Sequence, residues 1–145
     1  MSRIILSILL CAVIASSSCD EEQPIAIIPY AYVNQDLNLN QIKYQDLRKL
    51  GGYIYIEQGN NSGYKGILVY HEGNGIYRAF ERACTYDPRA DCDPIVMDDS
   101  GLFMIHKCCN SSFNVHGNPM SGPATLDLLQ YQTYLDGVYL KIINK

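Results

Sequence analysis

The residues best suited to chemistry are cysteines and a histidine grouped in two short boxes. The first box, residues 83–88, reads ACTYDP, and the second, residues 106–113, reads HKCCNSSF. Thiolates and neutral imidazoles are ligands that proteins use for zinc and iron. In exported proteins, thiols also pair as disulfides. The two boxes therefore predict either a metal site or a set of disulfides.

Strand patterns lead directly into both boxes. Ile76–Arg82 precedes the first box and Leu102–His106 delivers the second. Other short runs rich in β-branched and aromatic residues lie between Gly- and Asn-containing turns, and one stretch before Gly51-Gly52 predicts a single helical turn. The predicted strands are 33–40, 53–57, 66–70, 95–97, 113–115 and 131–143, the last broken at Asp136-Gly137, and the helical turn is 45–50. Such short strands without βαβ alternation predict an all-β domain.

The boxes and the residues around them resemble the Rieske iron–sulfur family. That family reads Cys-x-His in the first box and Cys-x-x-His in the second, and these four side chains hold a 2Fe-2S cluster. Asn110-Ser111-Ser112-Phe113 is similar to the family's Gly-Ser-x-Phe element, and Gly122-Pro123-Ala124 is similar to its Gly-Pro-Ala loop. The resemblance covers residues 30–145. Within the family, the chain most resembles Rieske-like lipoproteins of Bacteroidetes. It implies a Rieske-like antiparallel β-sandwich with a small inserted subdomain of the cluster-binding type.

The ligand positions of this resemblance are occupied by Cys84, Tyr86, His106 and Cys109. Tyr86 replaces a histidine, and a neutral phenol with a pKa of about 10 is a weak donor. His106 replaces a cysteine and Cys109 replaces a histidine. These changes favour the loss of the standard cluster, so we expect no cofactor. The alternatives are a 2Fe-2S cluster on non-standard ligands, or zinc on Cys84, His106 and Cys109.

Cytochrome-type members of the family carry a disulfide that braces the two boxes, and the resemblance implies Cys92 and Cys108 as its counterparts. Cys84 and Cys109 would then face each other and could form a second disulfide. The pairing of Cys84 with Cys108 and of Cys92 with Cys109 stays open as an alternative. Closing the loop between Cys92 and Cys108 would contribute about 3 kcal/mol on a chain-entropy estimate.

The N-terminus has the features of an export signal. Arg3 precedes an apolar run, Ile4–Ala15, which is too short for an ordinary transmembrane helix. Ser16–Ser18 followed by Cys19 resembles a bacterial lipoprotein signal, and an ordinary secretory signal is the alternative. The chain is therefore divided into a signal peptide (1–18), a tether (19–29) and the Rieske-like domain (30–145), with Cys19 as the lipidation site. This predicts a lipid-anchored protein of the cell envelope, on the periplasmic side or the outer-membrane surface.

Charge and motifs narrow the function further. The chain has a net charge of −4 and no basic patch, which argues against nucleic acid as a partner. It also lacks a Gly-rich phosphate loop and a Ser-His-Asp signature. These observations favour a binding or structural role over catalysis. If the domain is redox-active, it would be an electron-transfer component that needs a partner oxidoreductase; otherwise its expected partners are the lipid bilayer and another envelope protein.

Overall fold

The computed structural model describes residues 27–145, so the predicted signal peptide and Cys19 lie outside the described residues. No helix within residues 27–145 is long and apolar enough to span a bilayer. The described chain forms ten strands and one short 3₁₀ helix. The strands are β1 (Asn34–Asn38), β2 (Tyr53–Ile56), β3 (Ile67–Gly73), β4 (Ile76–Glu81), β5 (Val96–Met97), β6 (Phe103–His106), β7 (Ser111–Asn114), β8 (Pro119–Ser121), β9 (Gln130–Asp136) and β10 (Tyr139–Ile143), and the helix is Ile42–Arg48.

Six of these strands form the larger part of the domain, which we call the base. Their order is β1-β10-β9-β4-β3-β2, and all neighbours are antiparallel. The sheet is joined at its centre by only two residue pairs, Ala79 with Tyr131 and Phe80 with Gln130. This narrow junction lets the two three-stranded halves fold over a shared apolar core, lined from both halves by Leu37, Leu140, Ile142, Ile67, Val69 and Ala79.

Strands β3 and β4 are buried on both faces. Ile67 and Val69 point into the base core, whereas Leu68 points into a second core on the other side of the sheet. Side chains alternate between the faces of a strand, so successive residues of an apolar run supply two different cores. This explains why residues 66–70 read as a continuous apolar run rather than as an alternating pattern.

The second core is covered by a four-stranded antiparallel sheet of order β5-β6-β7-β8. These strands lie between β4 and β9 in the sequence, and we call residues 82–129 the insert. Its buried side chains include Ile95, Met97, Met104 and Phe113, which pack with Phe80 from β4. The predicted all-β antiparallel architecture with a small inserted subdomain is confirmed.

Some local predictions differ from the structure. Strand β3 continues to Gly73, three residues beyond its predicted end. The helical segment starts three residues earlier than predicted and is a 3₁₀ helix, Ile42–Arg48. Strand β8, Pro119–Ser121, was not predicted. It is short, contains a proline and lies at the sheet edge beside β7, where a missing N–H can be tolerated.

Candidate metal centre

The second box lies on the hairpin between β6 and β7. His106 ends β6 and is paired with Ser111, the first residue of β7. The four residues between them form the tip of the hairpin and carry Cys108 and Cys109. Asn110 has a positive φ of 56°. Asparagine adopts this left-handed conformation more easily than most residues, which accounts for its place where the family element has glycine.

The first box follows β4 directly and is held by backbone hydrogen bonds on both sides of Arg82. The N–H of Arg82 donates to the carbonyl of Gly66 (3.0 Å), and the N–H of Ile95 donates to the carbonyl of Arg82 (2.8 Å). Cys84 is therefore carried into the second core, where it is 2% exposed. The backbone N–H groups of Tyr86 and Asp87, in the turn that follows, lie beside the Cys84 sulfur and act to lower the pKa of its thiol.

The two boxes bring Cys84, His106 and Cys109 together. The Sγ atoms of Cys84 and Cys109 are 3.6 Å apart, and Nδ1 of His106 lies 3.1 Å from the Cys109 sulfur. The three donor atoms all lie within 4.8 Å of one another. His106 is buried and Cys109 is partly exposed. This group of three side chains is thus closed on the side of the insert core and open to solvent near Cys109.

Ser111, the serine of the Gly-Ser-x-Phe-like element, supports this group. Cys109 donates through its thiol to Oγ of Ser111 (3.1 Å), and the same oxygen accepts the backbone N–H of Ala124 (3.1 Å). Gly122 has a φ of 87°, and a Cβ at this position would lie 2.5 Å from Cα of Ser111. The Gly-Pro-Ala loop therefore closes directly on the second box. The resemblance of residues 110–113 to the family's Gly-Ser-x-Phe element was the signal that could have pointed to the role of Ser111.

Burial controls the protonation of the donors. It raises the pKa of the Cys84 thiol to about 11, although the N–H groups of Tyr86 and Asp87 oppose this rise. Burial also lowers the pKa of His106, and the positive charge of Lys65 lowers it further. The imidazole is therefore neutral at pH 7, which is the form that binds metals. The ring also interacts with the backbone of Asp93, a kind of contact that orients a ligating histidine.

The predicted disulfide between Cys92 and Cys108 is present, with the Cα atoms 6.3 Å apart. Its presence excludes the alternative pairing in this structure. Cys84 and Cys109 are both free thiols, so the second predicted disulfide is not formed here and stays a prediction. His106 also lies close to both Cys92 and Cys108. Those two sulfurs are bonded to each other, which leaves Cys84, His106 and Cys109 as the available donors.

Tyr86, the fourth predicted ligand, is more exposed than the other three, and its phenol makes no hydrogen bond to them. Its side chain is 49% exposed. Among the described residues, no hydrogen bond joins its phenol to Cys84, His106 or Cys109. The contribution of Tyr86 to the site comes instead from its backbone N–H, which acts to lower the pKa of the Cys84 thiol.

The loop that carries Cys92 is anchored to the base by Lys65. The ammonium of Lys65 donates to the carbonyls of Ala90 and Cys92, at 2.5 and 3.1 Å. The backbone N–H of Lys65 in turn donates to Glu81 at the end of β4 (2.8 Å). The side chain of Lys65 therefore connects the loop that carries Cys92 to the base.

Comparison with known proteins supports the fold. The crystal structure of the cyanobacterial plasma membrane Rieske protein PetC3 from Synechocystis PCC 6803 matches this chain with a TM-score of 0.54. The match covers 80% of this chain and 100% of that chain, at 20% sequence identity. The fold is Rieske-like. No family model matches the sequence, and no curated protein matches it either. At this level of identity the likeness describes the fold alone.

The donors of the Rieske-like domain do not reproduce the standard ligand set of the cluster. That set places two cysteines on one iron and two histidines on the other. Here two thiols and one imidazole converge, while Tyr86 is half exposed at the fourth position. The Cys84 and Cys109 sulfurs are 3.6 Å apart. This is the spacing of two thiolates on one tetrahedral metal ion, whether that ion is zinc or one iron of a cluster.

Proposed function

We propose that this chain is a lipid-anchored cell-envelope protein whose Rieske-like domain has lost the standard 2Fe-2S cluster. In this role the domain serves as a binding or structural module rather than as an electron carrier. The main support is the state of the two boxes. One ligand position holds a tyrosine, and in the second box a histidine stands where the family has cysteine and a cysteine where it has histidine. The Cys92–Cys108 disulfide joins the loops covalently.

The physical argument concerns what holds the two boxes together. A cluster ligated from both boxes links them through metal–ligand bonds, so its loss would free two loops at the edge of the insert. A disulfide that closes a loop of this length restricts the unfolded chain by about 3 kcal/mol. Lys65 and the backbone hydrogen bonds of Arg82 add further links to the base. The domain can therefore keep its fold without a cluster.

Iron analysis tests the loss of the cluster. The full chain, purified in detergent under anaerobic conditions, is expected to be colourless and to contain neither iron nor acid-labile sulfide. A coloured protein with two irons and two sulfides per chain would overturn the proposal. That result would instead support an electron-transfer protein with a cluster on non-standard ligands. The convergence of Cys84, His106 and Cys109 is the observation that favours this second candidate.

The lipid anchor rests on the sequence of the N-terminus, where Ser16–Ser18 precede Cys19. Metabolic labelling with palmitate in a bacterial host tests it. We expect the wild type to incorporate label and C19A to incorporate none. Label that survives in C19A, or a wild type without label, would contradict the anchor while leaving the proposal for the domain intact.

A further inference from the structure

We infer that Cys84, His106 and Cys109 form a binding site for a single zinc ion. This inference rests on the proposed loss of the standard cluster, because both groups would use the same donors. Cys84 comes from the first box, and His106 and Cys109 come from the second. The ion would therefore connect the two boxes next to the Cys92–Cys108 disulfide.

The spacing of the donors fits one tetrahedral ion. With Zn–S bonds of about 2.3 Å, tetrahedral angles place two thiolate sulfurs about 3.8 Å apart. The Cys84 and Cys109 sulfurs are 3.6 Å apart, so the pair needs almost no rearrangement. The same geometry places an imidazole nitrogen about 3.6 Å from a sulfur. Nδ1 of His106 lies 3.1 Å from the Cys109 sulfur and would move outward by a few tenths of an ångström.

The charge of the donors also fits a divalent ion. Two thiolates and a neutral imidazole around Zn²⁺ give a complex with no net charge, which reduces the cost of burial. The ion would displace the thiol protons, and three polar groups lie where they can donate to the resulting thiolates. Backbone N–H groups of Tyr86 and Asp87 lie beside the Cys84 sulfur, and the hydroxyl of Ser111 lies 3.1 Å from the Cys109 sulfur.

Three protein ligands leave the fourth position of the ion to solvent. Cys109 is the partly exposed member of the group, so water can reach the ion from that side. Three protein ligands with an open fourth position are typical of zinc sites that bind a further molecule, whereas structural sites use four protein ligands. The ion would thus carry an exchangeable fourth ligand on the side of the site that faces solvent.

Cobalt provides a spectroscopic test in the full chain. Chelator-treated protein is prepared with Cys84 and Cys109 reduced and Cys92–Cys108 intact, as verified by alkylation and peptide mapping. Anaerobic titration with Co²⁺ is expected to saturate at one ion per chain, with thiolate-to-cobalt charge-transfer bands and the strong visible bands of a tetrahedral site. One equivalent of Zn²⁺ should then bleach these bands.

Variants assign the donors. We expect C84S, C109S and H106A each to weaken Zn²⁺ binding by at least about a hundredfold. Loss of a residue that only orients a ligand costs about a hundredfold at most. C19A, outside the Rieske-like domain, is the matched cysteine control, and H116A is the matched histidine control. Both should bind Zn²⁺ as the wild type does. Far-UV circular dichroism checks that each variant is folded.

Several results would overturn the inference. These are the absence of tetrahedral cobalt bands in protein with both thiols free, binding that survives C84S, or binding that C19A abolishes. Iron and acid-labile sulfide in the anaerobic preparation would instead contradict the proposed function. A colourless, iron-free protein that takes up neither Co²⁺ nor Zn²⁺ would contradict the zinc site alone.

Discussion

The base and the insert are stabilised by different interactions. The base is closed by a continuous apolar core to which strands from both halves of its sheet contribute. The insert has a smaller core that borrows Leu68 and Phe80 from the base, and it adds a disulfide and a group of polar contacts around the two boxes. Removing an apolar side chain should therefore affect the base most. Covalent and polar changes should act on the insert.

The largest effect is expected in the base core. Leu140 is fully buried between the two halves of the sheet. L140A should lower the free energy of unfolding by about 2–5 kcal/mol, because the substitution loses buried apolar surface and leaves a cavity. Denaturant unfolding measures this change. Leu102 in the insert is 74% exposed, so L102A is the matched control and should change stability by less than about 0.5 kcal/mol. Equal losses in both variants would contradict the comparison.

Removal of the disulfide should destabilise the insert rather than the base. C92S/C108S opens a link between residues 16 apart in sequence and should cost about 3 kcal/mol. Amide hydrogen exchange followed by mass spectrometry is expected to accelerate in β5–β8, while β1, β9 and β10 keep their protection. Acceleration of equal size in both regions would show that they unfold as one unit, and the distinction between them would then fail.

Glu81 lies where the base and the insert meet. Its carboxylate accepts hydrogen bonds from the backbone N–H groups of Tyr64 (2.6 Å), Lys65 (2.8 Å) and Ala83 (3.1 Å), and from the hydroxyl of Tyr131 (2.7 Å). Gly63 packs so closely that a Cβ would lie 2.5 Å from the carboxylate. Burial raises the pKa of Tyr131, and its contact with Glu81 adds to the rise, so the phenol stays protonated and donates.

E81Q should therefore destabilise the domain by about 1.5–3 kcal/mol, because an amide cannot accept on both of its terminal atoms as a carboxylate does. Y131F removes a single donor and should cost about 1 kcal/mol. Both values come from denaturant unfolding monitored by circular dichroism. A larger loss in Y131F than in E81Q would refute the central role assigned to the carboxylate.

The smallest effect is expected at Tyr86, the half-exposed residue of the first box. Y86F keeps the backbone N–H that lies beside the Cys84 sulfur and removes only the hydroxyl. Stability should change by less than about 0.5 kcal/mol, as is usual for surface substitutions. Zinc affinity, measured by competition with a chelator, should equal that of the wild type. A marked loss of affinity in Y86F would instead identify the phenol as the fourth ligand.

Local patterns predicted most of the strands because they depend on neighbours in sequence. Alternation, β-branched residues and glycine turns marked β2, β4, β6 and the β9–β10 hairpin close to their observed limits, whereas β3 runs three residues beyond its predicted end. Short β8 has no such pattern and forms through pairing with β7. The role of Glu81 could not be read from the sequence either. Its partners at residues 64, 65, 83 and 131 come together only when β9 pairs with β4 and the β2–β3 connection lies beside the end of β4.

The sequence by itself determined the two boxes and the order of the elements that carry them, and through resemblance it predicted the Cys92–Cys108 disulfide while an alternative pairing stayed open. Only the tertiary structure decided which donors meet. Cys84 and Cys109 are 25 residues apart, and the distance between their sulfurs depends on how the β6–β7 hairpin packs against the loop after β4. That packing turned His106 towards Cys109 and left Tyr86 half exposed, because burial in the insert core accommodates the thiol and the imidazole while the phenol remains at the surface.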